Sequence, residues 1–368
     1  MTATPASGPV VSRLRVEAYA IPTDAPESDG TFAWDATTIV VVEAMAGEVR
    51  GLGYAYADAA AAHLIADTLA SVVEGSDVMA VPRTWLAMVA AVRNVGRPGI
   101  ASSAIAAVDV ALWDLKARLL DLSLTTLLGQ VRDGVAIYGS GGFTSYGAER
   151  LQEQLAEWAQ AGIGMVKMKV GREPGSDPER VTLARAAIGR DCELFVDANG
   201  AYDRKQALAM AERFAEAGVT WFEEPVSSDD LAGLRLLRDR APAGMAIAAG
   251  EYGYALEYFR RMLAAGAVDV LQADVTRCAG ITELLRVGAL CAAHEIPLSA
   301  HTAPSVHAHV GCAIAPLVHV EYFHDHARIE RMLFDGVLEP EGGCLVPDLS
   351  RPGLGLELRH ADAQAYAI

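Results

Sequence analysis

Eight positions in the second half of the chain carry side chains able to hold a cation or move a proton, and they recur at nearly even intervals. Lys167 and Lys169 share the run VKMKV, and from Lys169 the series continues through Asp197, Glu223, Glu251, Asp274, His301 and Glu321 at steps of 28, 26, 28, 23, 27 and 20 residues. Taken singly, each has an ordinary explanation in turn or capping chemistry. Taken together they would crowd carboxylates at one rim, a large uncompensated charge unless a cation sat among them. Asp197, Glu223 and Glu251 offer hard oxygen ligands with no Cys or His, a set that favours Mg2+ or Mn2+ over zinc. Asn199 and Glu224 lie beside two of the three, placed to orient water or a ligand carboxylate.

The other members of the series read as proton-transfer groups. Two residues apart on a strand, Lys167 and Lys169 share one face while Val166, Met168 and Val170 share the other. Two ammonium groups forced together near a dication are expected to have depressed pKa values, which suits a general base. Asp274 can fix the tautomer of His301 and leave its second ring nitrogen free for proton transfer. Glu321 is expected to face the substrate and to donate a hydrogen bond if burial keeps it protonated. A magnesium ion between a lysine base and an Asp-supported histidine is an arrangement for removing a proton next to a carboxylate.

The elements that must position these groups follow from the hydrophobic pattern. Short apolar runs (AIYGSGG, MVKMKV, LFVDANG, VTWFEEP, AIAAGE, VDVLQAD, PLSAHTA, HVEYF) alternate with amphipathic helical stretches, the grammar of a parallel α/β barrel with its chemistry at the strand ends. Residues 131–335 form that unit. Residues 1–130 read as an α+β cap: strand-like RLRVEAYAI, TTIVVVEAM and VRGLGYAYA with a turn at Gly47-Glu48, a polar loop over 22–35, and an Ala-rich helical region from Asp58 to Leu128. The first nine residues read as a frayed terminus. Residues 336–368, rich in Gly and Pro, are expected to run back to the cap.

Composition excludes several classes. The balance of 30 basic and 47 acidic residues, net −17, argues against nucleic acid or an anionic membrane as partner. No apolar stretch of membrane-spanning length and no secretory leader is evident, so a cytoplasmic location is expected. The five cysteines are scattered, without a C-x-x-C pair, and read as free thiols. Seven of the nine histidines fall between His294 and His326, but His307 and His309 are two apart in a helical stretch and face different ways. His324 and His326 follow the eighth strand and are within reach of the mouth. Neither a nucleophile elbow nor a phosphate-binding glycine loop is present.

The ordered motifs VKMKV, VDANGAY, WFEEPV, AAGEY, LQADVTRCAGIT, LSAHTAPS and VEYF, behind an α+β cap, resemble the mandelate racemase branch of the enolase superfamily over nearly the whole chain. The resemblance implies an α/β fold with a modified TIM barrel, (β/α)7β, and an N-terminal capping domain. It implies Mg2+ held by Asp197, Glu223 and Glu251, and Lys169 as one acid/base with Lys167 beside it. His301 with Asp274 would be the other acid/base, with Glu321 bonded to the substrate. It places specificity in the cap, here the 22–35 loop and the 51–57 stretch, with Asp24, Asp29, Trp34, Tyr56 and Ser140 as candidates, and it implies a homo-oligomer. No lysine follows Lys205, which disfavours muconate-type cycloisomerisation with a lysine on the sixth strand. The expected activity is dehydration of a sugar acid to a 2-keto-3-deoxy acid. A racemase or epimerase of a 2-hydroxy acid is the alternative, and a non-catalytic metal-binding barrel is the third reading.

Overall fold

A computed structural model describes residues 8–368, so most of the expected frayed terminus lies outside the described residues. Strands β1 (Arg13–Ser28), β2 (Ala33–Ala46) and β3 (Val49–Tyr56) form an antiparallel sheet in that order. β2 and β3 meet through Gly47 and Glu48, and Gly47 adopts φ 61, as a two-residue hairpin turn needs. The run Ile39–Ala44 is buried on both faces. Ile39 and Val41 join the core shared with the barrel, whereas Val40, Val42 and Ala44 join a second core under the cap helices. The period of two thus divides one apolar strand between two interiors.

The polar loop expected over 22–35 is instead mostly strand. β1 continues to Ser28, and its pairing with β2 jumps from Pro22↔Ala36 to Glu27↔Trp34, a bulge in which residues 23–26 stand against Asp35 alone. Proline, with no N–H to give the ladder, marks where the regular pairing stops. Only the tip after Ser28 is a turn. The 51–57 stretch also differs from expectation. Gly51 and Gly53 lie against the long helix Ile100–Leu119, where a Cβ on Gly53 would come within 2.3 Å of the Ala107 carbonyl oxygen. These glycines seat a helix, and only the strand's end, at Tyr56, reaches the barrel mouth.

The barrel consists of β4 (Val135–Gly141), β5 (Met165–Lys169), β6 (Glu193–Asp197), β7 (Val219–Glu223), β8 (Ala246–Ala249), β9 (Val270–Ala273), β10 (Leu298–Ala300) and β11 (Leu317–Phe323). All neighbours are parallel, and β11 closes on β4. Seven helices, from Ala148–Gln160 to Pro304–Gly311, fill the connections, and β11 runs straight into the helix His324–Leu333. This is a (β/α)7β barrel. Its strands are short, which is how the circuit closes within residues 135–323. Tyr138, Phe195 and Trp221, with Ala248 and Val270, plug the interior below the mouth.

Beyond the barrel, Cys344–Leu345 pairs antiparallel with β4, Leu354 N–H donates to Asp114 (2.5 Å) and Ile368 N–H to the Ala18 carbonyl (3.1 Å). All five cysteines are free thiols, and no helix among the described residues is long and apolar enough to cross a membrane.

Polar contacts tie cap to barrel. Trp85 Nε1 donates to the Ala279 carbonyl (2.8 Å), Asp109 accepts from Thr282 N–H (2.8 Å) and Oγ1 (2.6 Å), and Glu330 accepts from Tyr54 (2.5 Å), Ser305 Oγ (2.5 Å) and Ser305 N–H (3.1 Å). Burial pushes the Glu330 carboxyl up to about 7 despite those donors. A carboxyl that holds its proton longer when folded makes stability fall as pH rises, from the unfolded value near 4.3 through the folded one, by at most about 1.4 kcal/mol per pH unit. Glu330→Gln is therefore expected to flatten the pH dependence of stability between pH 5 and 7. Denaturant melts of the two proteins across that range check this, and equal slopes would refute it.

Candidate active site

The strand ends place the predicted series around one opening. Lys167 and Lys169 point inward from β5 while Val166 and Met168 pack outward in the core. Asp197 and Glu223 end β6 and β7, Glu251 lies two residues past β8, Asp274 and His301 directly follow β9 and β10, and Glu321 sits within β11. Asp197, Glu223 and Glu251 are buried, and one oxygen from each falls within 4.8 Å of the others. Glu251 Oε2 has no hydrogen-bond partner; its nearest cationic neighbour is His301 Nε2 at 3.4 Å. Three converging hard oxygens with a spare buried lone pair suit a divalent cation of the magnesium type.

Ion pairs govern the charge states. Lys169 Nζ lies 2.5 Å from Asp197 Oδ2, and Lys167 Nζ lies 2.5 Å from Glu223 Oε1 and 2.8 Å from Glu321 Oε1. The expected depression of the lysine pKa values is not found in this arrangement. Burial does push both down, but Asp197 beside Lys169, and Glu223 and Glu321 beside Lys167, outweigh it and raise them. The expectation set the two lysines against each other and against a dication, and left out how closely the carboxylates approach. Glu321 is likewise corrected: burial favours its protonated form, but Lys167 and His301 hold it well below the usual carboxylate range, so it is ionised and accepts. Its oxygens take Ser140 Oγ (2.5 Å) and Thr302 N–H (3.2 Å).

The Asp274–His301 pair is formed, with His301 Nδ1 2.8 Å from Asp274 Oδ2. Asp274 Oδ1 accepts from Thr276 N–H (2.7 Å) and Oγ1 (2.8 Å), which fixes the carboxylate. Burial alone would lower the His301 pKa, but Glu251, Glu321 and Asp274 raise it. His307, which belongs to no motif of its own, braces the pair from behind. Its Nδ1 donates to the Thr302 carbonyl (2.7 Å) and its Nε2 accepts from Val275 N–H (3.0 Å), joining the residues that follow His301 and Asp274. A carbonyl can only accept and an N–H only donate, so the tautomer follows. His309 points elsewhere, to Thr125.

Backbone strain accumulates here. Asn199 (φ 46), Glu224 (φ 38), Thr302 (φ 54) and Ala303 (φ 40) are left-handed immediately after site residues, at a typical cost of roughly 1–3 kcal/mol each. Gly250, with φ 139, precedes Glu251 where a Cβ would stand 2.1 Å from the Gln272 carbonyl oxygen. Asn199 N–H donates to Asp197 Oδ1 (2.9 Å), whereas Asn199 Oδ1 and Glu224 Oε1 are buried without partners.

A cavity of about 480 Å³ opens over this mouth, roofed by the β1–β2 hairpin and the end of β3. Lys169, Asn199, Glu251, Asp274, His301 and Glu321 reach it, as do the cap candidates Asp29, Trp34 and Tyr56. Lys167, Asp197, Glu223 and Glu224 lie beneath it. Two specificity candidates are placed elsewhere: Ser140 is buried against Glu321, and Asp24 pairs with His324 (3.1 Å) and Arg150 (3.3 Å) outside the cavity. The bulge turns Asp24 outward, which a loop reading could not show. His326 does line the cavity, stacked on Tyr56. Arg277 was missed. It lines the cavity, bonds Glu251 Oε1 (3.1 Å) and approaches Asp274 Oδ2 (3.6 Å). Its spacing three residues after Asp274 was the available signal, but a search for proton-transfer groups passes over a guanidinium.

Comparison with known proteins bears on this geometry. A family model described as the mandelate racemase / muconate lactonizing enzyme N-terminal domain matches residues 19–129, and one described as enolase C-terminal domain-like matches residues 150–363. The crystal structure of a mandelate racemase/muconate lactonizing enzyme-like protein from Rubrobacter xylanophilus is 60% identical, covers 98% of this chain and 100% of that one, and superposes with a TM-score of 0.96. The L-talarate/galactarate dehydratase of Salmonella typhimurium is 33% identical over 315 residues, 84% of this chain and 77% of that protein. Its structure liganded with Mg and L-lyxarohydroxamate gives a TM-score of 0.90 over 100% of this chain and 96% of that one, at 28% identity. The 3,6-anhydro-alpha-L-galactonate cycloisomerase of Streptomyces coelicolor is 31% identical over 358 residues, 95% of this chain and 97% of that protein. With both halves matched and the barrel-mouth geometry in place, the chain belongs to the mandelate racemase/muconate lactonizing enzyme family of the enolase superfamily.

Proposed function

We propose that the protein is a Mg2+-dependent sugar-acid dehydratase that converts a 2,3-dihydroxy acid to its 2-keto-3-deoxy product. The observation that carries this reading is that Lys169 and the Asp274-bonded His301 open onto one cavity together with Glu251 of the oxygen trio. Mg2+ held by Asp197, Glu223 and Glu251 would draw on the carboxylates that otherwise pair with the lysines and offset negative charge developing on the substrate carboxylate. Lys169 Nζ then takes the proton from C2. His301 Nε2 gives a proton to the 3-hydroxyl as the C3–O bond breaks and water departs, while Asp274 stabilises the charged ring. The enol left behind becomes the 2-keto acid by losing the proton from its C2 oxygen and gaining one at C3, with no net oxidation. Lys167, sealed below, neutralises Glu223 and Glu321. The Salmonella relative, named a talarate/galactarate dehydratase, supports the choice of dehydration.

Lys169→Met is expected to abolish both turnover and solvent-deuterium exchange at C2. His301→Asn is expected to lower water loss by at least about 100-fold while exchange through Lys169 persists. Carbonyl-reagent assay of products and NMR of recovered substrate read these two effects. A product lacking the ketone, whether an epimer or a cyclised isomer, would replace dehydration with the reaction it reveals.

Glu223→Gln should weaken Mg2+ binding at least tenfold in calorimetric titration; unchanged affinity would remove Glu223 from the ligand set. For His307, the geometry predicts a positioning role. His307→Phe should lower kcat about tenfold with KM nearly unchanged and Lys169-driven exchange retained. Equal loss of exchange would show general disruption instead.

A further inference from the structure

The two walls of the cavity differ in charge. Its basic groups, Lys169, Arg277 and His301, all stand on the barrel wall, and each is engaged by a barrel carboxylate: Asp197, Glu251 and Asp274 respectively. Among the described residues on the cap wall, the only charged side chains are acids, Asp29 and Asp58. Asp29 Oδ1 is taken by its own turn, from Thr31 N–H (2.6 Å) and Phe32 N–H (2.7 Å), whereas Asp58 is exposed and bonds only Ala60 N–H (2.8 Å). Three arginines beside the hairpin do not line the cavity: Arg150 pairs with Asp24, Arg328 with Asp325 (2.5 Å) and the Pro22 carbonyl (2.7 Å), and Arg172 lines a separate cleft on the other side of Trp34. His326, the remaining basic ring at that wall, is kept neutral by burial. Trp34, Thr38 and Tyr56 also line this wall, and Asn199 reaches the cavity from the barrel side.

This distribution is hospitable to hydroxyl groups and hostile to a second anion. Hydroxyls can donate to Asp58, and carbon-bound faces can rest on Trp34 and Tyr56. A carboxylate in the same place would lose its water, meet two acids and find no counter-ion. Discrimination of this kind comes from an unfavourable contact built against the wrong ligand.

We propose that the substrate is a monocarboxylate sugar acid of the aldonate type, ending in a neutral hydroxylated carbon, and that the cap wall rejects dicarboxylates. The inference rests on the proposed function for its orientation, with the reacting carboxylate at the barrel mouth. It separates this chain from the Salmonella relative, whose named substrates carry a carboxylate at each end.

The test is calorimetric titration of the Mg2+-loaded protein with matched pairs of sugar hydroxamates. Chain length and hydroxyl configuration are kept within each pair, and only the far end changes, from CH2OH to a carboxylate. The CH2OH member is expected to bind at least tenfold more tightly in every pair that binds, and Asp58→Lys is expected to shrink that ratio at least threefold. A dicarboxylate-derived member that binds as tightly as its partner overturns the proposal, and an unchanged ratio in Asp58→Lys overturns its assignment to this wall. Turnover of the parent acids reports separately on the chemistry. A clear binding preference with no keto acid formed would remove the dehydratase and leave the selection standing, whereas no binding by any pair would overturn both.

Discussion

Six buried carboxylates, Asp197, Glu223, Glu224, Glu251, Asp274 and Glu321, share the barrel mouth with three permanent cations, Lys167, Lys169 and Arg277. Fully ionised, with His301 neutral, that is 3 − 6 = −3 charges in a region largely removed from water. Such an excess is too costly to leave alone. Part of it is relieved by proton uptake: burial and the neighbouring Asp197 push Glu223 up to about 8, and burial with Glu251 pushes Glu224 well above the usual carboxylate range. A dication held by Asp197, Glu223 and Glu251 would be the alternative relief, supplying the positive charge that protons on Glu223 and Glu224 otherwise supply. The surrounding barrel serves this concentration of charge, from the aromatic plug that keeps water out below to the strained turns that aim each side chain.

Those turns explain why the site is assembled from strand ends and not from long loops. A strand delivers its last side chain with little freedom, and a left-handed residue just after it swings the chain clear so that the next helix can begin. Asn199, Glu224 and Thr302 each do this one or two residues beyond Asp197, Glu223 and His301. Gly250 does the same before Glu251, where any side chain would meet Gln272. Rigidity of this kind holds opposed proton-transfer groups in register without help from the ligand.

The barrel and the groups at its strand ends were legible in the sequence because they rest on two strong periodicities. Apolar runs mark the strands, and ionisable residues about one βα unit apart mark their ends. Charge state was not legible. Whether Lys169 is a free base or an ammonium depends on an oxygen 2.5 Å away, contributed by a residue 28 positions later, and spacing carries no such distance. Nor was the outward turn of Asp24 readable, because a bulge reverses the face on which later residues of a strand stand. Arg277 and His307 were hidden differently: they act through other side chains, and no residue type advertises that role.

The bulge in the first hairpin has an evolutionary reading as well. Below it, β1 and β2 keep an unbroken register that is locked to two cores at once. Above it, the tip carries Asp29, Phe32 and Trp34 out over the cavity. Insertions or deletions among residues 23–26 would lengthen, shorten or rotate that tip without shifting the paired residues beneath. Descendants of this chain can therefore reshape the roof of the cavity by small changes in loop length, while Lys169 and His301 below keep their places.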